Sequence, residues 1–139
     1  MADVLQHSRR DDLSEVEMST FGTSLADLLG RWKNTKEDTG QILEATITQE
    51  GEQFFLHILA PSDPEPTDWG KCPIEIYYSA GRSQIVTGVS GFFDFGFMET
   101  DVLCMIKYGI LVVMTYNRFK DDSGRKNYVI REFFHRIKA

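Results

Sequence analysis

From Gly30 onward the chain alternates apolar and polar residues with the two-residue period of strands. Over 41–49, Ile42, Glu44, Thr46 and Thr48 alternate with Leu43, Ala45 and Ile47. The turn Glu50-Gly51 leads to 52–60, where Phe54, Leu56 and Ile58 share one face and Phe55, His57 and Leu59 the other. The same pattern predicts strands at 30–35, 73–79, 83–92, 97–107, 110–119 and 127–137. Turn chemistry separates them: Ala80-Gly81-Arg82, Asp94 to Gly96, Lys107-Tyr108-Gly109, and Lys120-Asp121-Asp122-Ser123-Gly124-Arg125. Gly88 and Gly91 stand where a barrel strand bends. All four prolines lie in 61–73, which is expected to be an irregular loop, with Trp69 near its end as a plug.

Before Gly30 the pattern is different. Ser24 is placed to cap a single short helical turn over Leu25–Leu29. Residues 1–22 are polar, with isolated Val4, Leu5, Leu13, Val16, Met18 and Phe21. They read as a flexible arm, or as a segment folding over a barrel mouth or a neighbouring subunit through Leu13, Val16 and Phe21. Residues 23–139 then form a single all-β domain. About eight strands in hairpin order predict a closed antiparallel up-and-down β-barrel, with a β-sandwich as the rival. Closure removes the edges that such apolar strands would otherwise expose.

Composition narrows the function classes. A chain of 139 residues that is 42% hydrophobic has enough material for one buried core. A net charge of −6, with scattered basic residues, argues against nucleic acid and anionic membrane surfaces. No apolar run reaches the roughly 18 residues of a spanning helix, so no membrane insertion is expected. The N-terminus has no secretory apolar core, which points to a cytosolic protein. In that compartment Cys72 and Cys104 are expected as free thiols, Cys104 in a buried strand. Apolar residues on both faces of 52–60 and 110–119 predict a homodimer through an outer barrel face.

The two ends of the strand region carry a resemblance. A short helical turn followed by Gly30-x-Trp32, together with a basic residue in the last strand, resembles the calycin superfamily of lipocalins, fatty-acid-binding proteins and avidins. The resemblance implies a calycin-like barrel with an apolar interior. It also implies that Trp32 closes one end beneath a stacked basic side chain, Arg131 or Arg136, with Arg131 preferred by position. The chain departs from lipocalins, since Thr67-Asp68-Trp69 lies in the proline-rich stretch and not between late strands. It also lacks the helix-turn-helix insert of fatty-acid-binding proteins.

Candidate chemistry is diffuse. His7, His57 and His135 show no metal-ligand spacing, so no metal is expected, and no phosphate-cradling or nucleophile motif implies a cofactor. Glu44, Glu99, Asp101 and Tyr116 are the candidate acid–base residues, because a carboxyl facing an apolar lumen is tuned for proton transfer. Glu75 and Glu132 are expected on the solvent face. Trp69, Tyr78, Phe95, Met98, Met114 and Tyr128 are the candidate ligand-binding residues of an apolar lumen, and Phe92, Phe93, Phe95 and Phe97 could surround its mouth. Three functions fit: binding of a small hydrophobic or aromatic molecule in the lumen, a cofactor-free cyclase or isomerase of a hydrophobic metabolite, and a side-chain-filled barrel serving as an interaction domain.

Overall fold

The computed structural model describes residues 24–137, so the expected arm over 1–22 lies outside the described residues. The first element, α1 (Leu25–Leu28), is one turn of helix that leads into β1 (Gly30–Asn34). The backbone N–H of Ser24 donates to the Asp27 carboxylate at 3.1 Å, which fixes the start of α1. Its end is fixed by Trp32, whose indole N–H donates to the Leu28 carbonyl at 3.0 Å. Leu28 and Trp32 are both almost fully buried, so α1 caps one end of the molecule.

Eight further strands follow: β2 (Glu44–Glu50), β3 (Gln53–Ala60), β4 (Thr67–Pro73), β5 (Glu75–Tyr78), β6 (Val86–Asp94), β7 (Met98–Lys107), β8 (Ile110–Phe119) and β9 (Tyr128–Arg136). All pairings are antiparallel, in the order β4-β3-β2-β1-β9-β8-β7-β6-β5. The expected pairing of the first and last strands is present, with Trp32 opposite Arg136 and Asn34 opposite Phe134. The result is an all-β, nearly closed antiparallel barrel, compatible with a calycin-like fold.

The count of eight needs correcting to nine, and the irregular stretch 61–73 is the reason. Three of its prolines lie in the loop before Thr67, but Thr67–Pro73 is a strand. Proline is tolerated because β4 bonds to β3 on one side only, so Pro73 forfeits no second ladder bond. Beyond it, Ile74 makes one more bond to β3, donating to the Phe54 carbonyl at 2.9 Å, and β5 then pairs with β6. One extended stretch thus changes partners half-way and draws the two sheet edges together. Gly91 of β6 marks the seam: a Cβ there would sit 2.6 Å from the Cys72 sulfur and 3.0 Å from Leu56. Glycine is required by that close approach.

Other boundaries shift by a few residues, and the expected turns stand. Tyr108 and Gly109, both with positive φ, form the two-residue turn between β7 and β8. Inside, residues from all nine strands meet in one apolar cluster. Trp32, Ala45, Ile47, Leu56, Ile58, Val89, Val102, Cys104, Leu111 and Phe134 are at its centre. Each large apolar side chain so buried contributes about 1.5–3 kcal/mol. The exterior is uneven. The outer face of β1–β4 carries the ion pairs Arg31–Glu44, His57–Asp68 and Lys71–Glu50. The outer face of β5–β9 exposes Tyr77, Phe92, Tyr116, Val129 and Phe133.

Candidate functional site

Among the described residues, a groove of about 450 Å³ opens on the outside of the barrel. It is lined by Tyr77 of β5, Thr87, Gly88 and Ser90 of β6, Asp101, Leu103 and Met105 of β7, and Tyr116 of β8. Strand register brings them together: Tyr77 lies opposite Gly88, Ser90 opposite Leu103, and Asp101 opposite Tyr116. The trough exists because β6 turns only small residues, Thr87, Gly88 and Ser90, toward it. A Cβ on Gly88 would stand 2.8 Å from the Cys104 carbonyl oxygen, so no side chain rises there. Next to it the β5–β6 register shifts, since Tyr77 faces Gly88 but Tyr78 faces Val86, and Thr87 is the extra residue.

The groove has an apolar floor and polar ends. Leu103 and Met105 are half-buried. At one end the Ser90 hydroxyl donates to the Tyr77 oxygen at 3.1 Å, and the Tyr77 hydroxyl reaches Glu75 at 3.5 Å. At the other, Asp101 Oδ2 is 2.7 Å from the Arg118 guanidinium, which also donates to Glu99 at 3.0 Å. Lys120 continues the ladder, 2.7 Å from Asp94 and 3.8 Å from Glu99. The bond from Lys120, with a second from the Gly96 N–H, holds Asp94 below the usual carboxylate range. Hydrogen bonds to Asp101 and Glu99 raise Arg118 above its ordinary value, so it stays a cation.

A second feature lies at the barrel end opposite α1. Trp69 packs edge-on against Phe93 and Phe95, at 5.5 and 5.0 Å between centroids, and Phe97 follows at 6.5 Å from Phe95. The Arg125 guanidinium lies 4.2 Å from the Phe119 ring and 5.4 Å from Phe97, while Tyr128 lies 6.0 Å from Phe119. Buried polar groups collect toward this end: Thr100 donates to Asn117 at 2.7 Å, and Thr39 donates to Glu132 at 2.7 Å.

The candidate acid–base residues all face outward. Glu44 bonds Arg31 at 2.9 Å, Glu99 and Asp101 share Arg118, and Tyr116 is 37% exposed. Asp101 and Tyr116 meet in the groove; Glu44 and Glu99 do not line it. Among the candidate ligand-binding residues, Trp69 and Phe95 meet at the aromatic end, Met98 is buried inside it, and Tyr128 reaches it through Phe119. Met114 lies outside beside Tyr116, whose hydroxyl is 3.9 Å from its sulfur, and Tyr78 is exposed at the end of β5. Of the mouth phenylalanines, Phe92 is the exception: it sits opposite the outward-facing Asp101 and is 47% exposed.

Two sequence expectations are corrected. Glu132 lies on the inward side of β9, opposite buried Val113, because Phe134 two residues on is the strand's core anchor. Its signal was available in that spacing. Arg136, and not Arg131, stacks on Trp32, at 4.3 Å from the ring, since Arg136 is the residue in register with it. Its guanidinium also donates to the Leu29 and Asp27 carbonyls. Arg131 points outward over Phe133, at 5.5 Å. The groove residues missed altogether are Thr87, Ser90 and Leu103, and Gly88 was read only as a bend, because their role depends on three strands coming into register.

Among the described residues, no group of three or more His, Cys, Asp or Glu is placed to hold a metal ion, and no helix is long and apolar enough to cross a membrane. Comparison with protein-family models, with curated proteins and with solved structures gives no match. The class is therefore defined by the barrel, its Trp32–Arg136 closure and the groove.

Proposed function

We propose that this protein binds a small, mostly apolar, ring-bearing molecule in the groove on the outer face of β5–β8. The observation that carries the reading is the groove itself: about 450 Å³, an apolar floor, two tyrosine walls and hydrogen-bonding groups at its ends. That volume lies within the roughly 300–1,000 Å³ of small-molecule sites. Leu103 and Met105 supply dispersion contact, Tyr77 and Tyr116 supply ring faces, and Ser90, Thr87 and Asp101 orient polar substituents.

A second reading keeps the ligand in the barrel lumen, entered past Trp69, Phe93, Phe95 and Phe97. The aromatic chain at that end supports it. A cyclase or isomerase working inside the barrel would use Glu132 with Thr39, since the candidates Glu44, Glu99, Asp101 and Tyr116 face outward. The free thiols of Cys72 and Cys104 fit a protein of a reducing compartment such as the cytosol.

Titration with a neutral naphthol, followed by calorimetry and tryptophan fluorescence, separates the two sites. Binding in the groove is weakened at least about fivefold by Tyr116→Ala and leaves tryptophan emission unchanged. Quenching of Trp69 emission, retained in Tyr116→Ala, would move the site to the lumen. No heat and no quenching at millimolar naphthol would reject both.

A further inference from the structure

Resting on the groove as the binding site, we infer that its ligand carries a cationic or N–H-donating head, and that a ring-bearing alkylamine, protonated near neutral pH, is the chemical class it takes. The argument is one of charge placement. Asp101 lines the groove, Glu75 adjoins it through Tyr77, and Glu99 and then Asp94 follow from Asp101 along the Arg118–Lys120 ladder. Two basic side chains are paired with them, while Lys107 and Arg131 stand further out on the same face, over Tyr108 and Phe133, and do not line the groove. Arg118 is held between Glu99 and Asp101, and Lys120 between Asp94 and Glu99. Neither Arg118 nor Lys120 lines the groove, whereas Asp101 does.

Arg118 takes Asp101 Oδ2, and among the described residues Oδ1 has no partner. At the far end Glu75 lies behind the Tyr77 hydroxyl, and among the described residues it has no ion-pair partner. A carboxylate ligand would therefore meet acceptors and negative charge, and none of the residues lining the groove is basic. An ammonium or protonated ring nitrogen meets the reverse. It can donate to Asp101 while the faces of Tyr77 and Tyr116 add cation–π attraction. Ser90 and Tyr77 already pair with each other, so that end accepts a donor by rearranging one hydroxyl.

The test compares three probes of one ring system by calorimetry at low salt: 1-naphthylmethylamine, 1-naphthalenemethanol and 1-naphthoate. The amine is expected to bind about tenfold tighter than the alcohol, and the carboxylate weaker than either. In Asp101→Asn the amine's advantage over the alcohol falls to about threefold or less. Glu75→Gln, which leaves the Arg118 network intact, reduces the advantage by a smaller factor. Alcohol and amine binding equally, or the carboxylate binding best, overturns the amine assignment and leaves the groove standing. If no probe binds, or Tyr116→Ala changes nothing, the groove reading itself has failed.

Discussion

Replacing Arg136 by methionine tests whether the guanidinium over Trp32 fastens the closed end of the barrel. Arg136 lies 4.3 Å from the Trp32 ring and donates to the Leu29 and Asp27 carbonyls, so it ties β9 to α1 and β1. At an exposed site the cation–π contact is worth about 0.5–1 kcal/mol. The two charge-assisted bonds, discounted because water replaces them at an exposed carbonyl, add about 0.5 kcal/mol each. Methionine keeps the apolar stem over the indole. The expected loss is thus about 1.5–2 kcal/mol, which for a chain of this size lowers Tm by about 5–8 °C. Gly30 belongs to the same device: with φ of +124° and a would-be Cβ 2.7 Å from Arg136 Nη1, Gly30→Ala both strains the backbone and pushes the guanidinium off. Urea unfolding read by far-ultraviolet circular dichroism gives the midpoint and slope. A double-mutant cycle with Trp32→Phe should show coupling of at least about 0.5 kcal/mol. Arg131→Met, on the outer face, should cost less than about 0.5 kcal/mol. If Arg136→Met costs no more than Arg131→Met, the closure argument is wrong.

At the seam, Gly91→Ala sets a methyl group against Cys72 and Leu56, and overpacking of about 1–3 kcal/mol is expected; a neutral result in urea unfolding would mean β4 and β6 are not held at that distance. Burial pushes the Cys104 thiol up to about 12 and also raises Cys72, so neither should react with an aromatic disulfide reagent at pH 8 until the chain unfolds; rapid native labelling of two thiols would contradict the packing. Asp68, Asp94 and Asp121 are all held below their usual 3.8, chiefly by hydrogen bonds from Gly70, Lys120 and Ser123 respectively. Their contribution is present above that value and lost as pH falls through the lower folded values. Thermal melts should therefore be flat with respect to these groups near neutrality and fall below about pH 4, and a loss beginning near pH 6 would point elsewhere. The homodimer expectation predicts a dimer by light scattering at micromolar protein, dissociated by Val129→Lys on the exposed face of β9; a wild-type monomer refutes it.

How much was legible in the sequence depends on how local the deciding interaction is. Strand period, turn glycines and the Ser24 start of α1 act over a few residues, and β8 came out with the expected bounds. The Pro-rich stretch misled because proline's penalty depends on which side of a strand is bonded. That is a property of the sheet, and β4 happened to be bonded on one side. The choice between Arg131 and Arg136 turned on register with Trp32, and register is a long-range quantity.

The candidate site was legible in its residues and not in its place. Asp101 and Tyr116 were singled out as chemistry for a lumen, but their strands turn the neighbours on either side inward: Thr100 and Val102 beside Asp101, Thr115 and Asn117 beside Tyr116 are buried. Apolarity on both faces of a strand says that both faces are covered or used; it does not say which face lines the interior. What tips β7 is residue size. Val102 and Cys104 pack into a crowded centre, while Leu103 and Met105 spread over the small outward residues of β6, Gly88 and Ser90. A groove on a convex surface needs such a deficit of side chain on one strand beside a surplus on its neighbours. Gly88 is the position to read first: Gly88→Val should fill the trough and press on the Cys104 carbonyl, abolishing naphthol binding at a stability cost of about 1–3 kcal/mol. Undiminished binding in a folded Gly88→Val protein would place the ligand elsewhere.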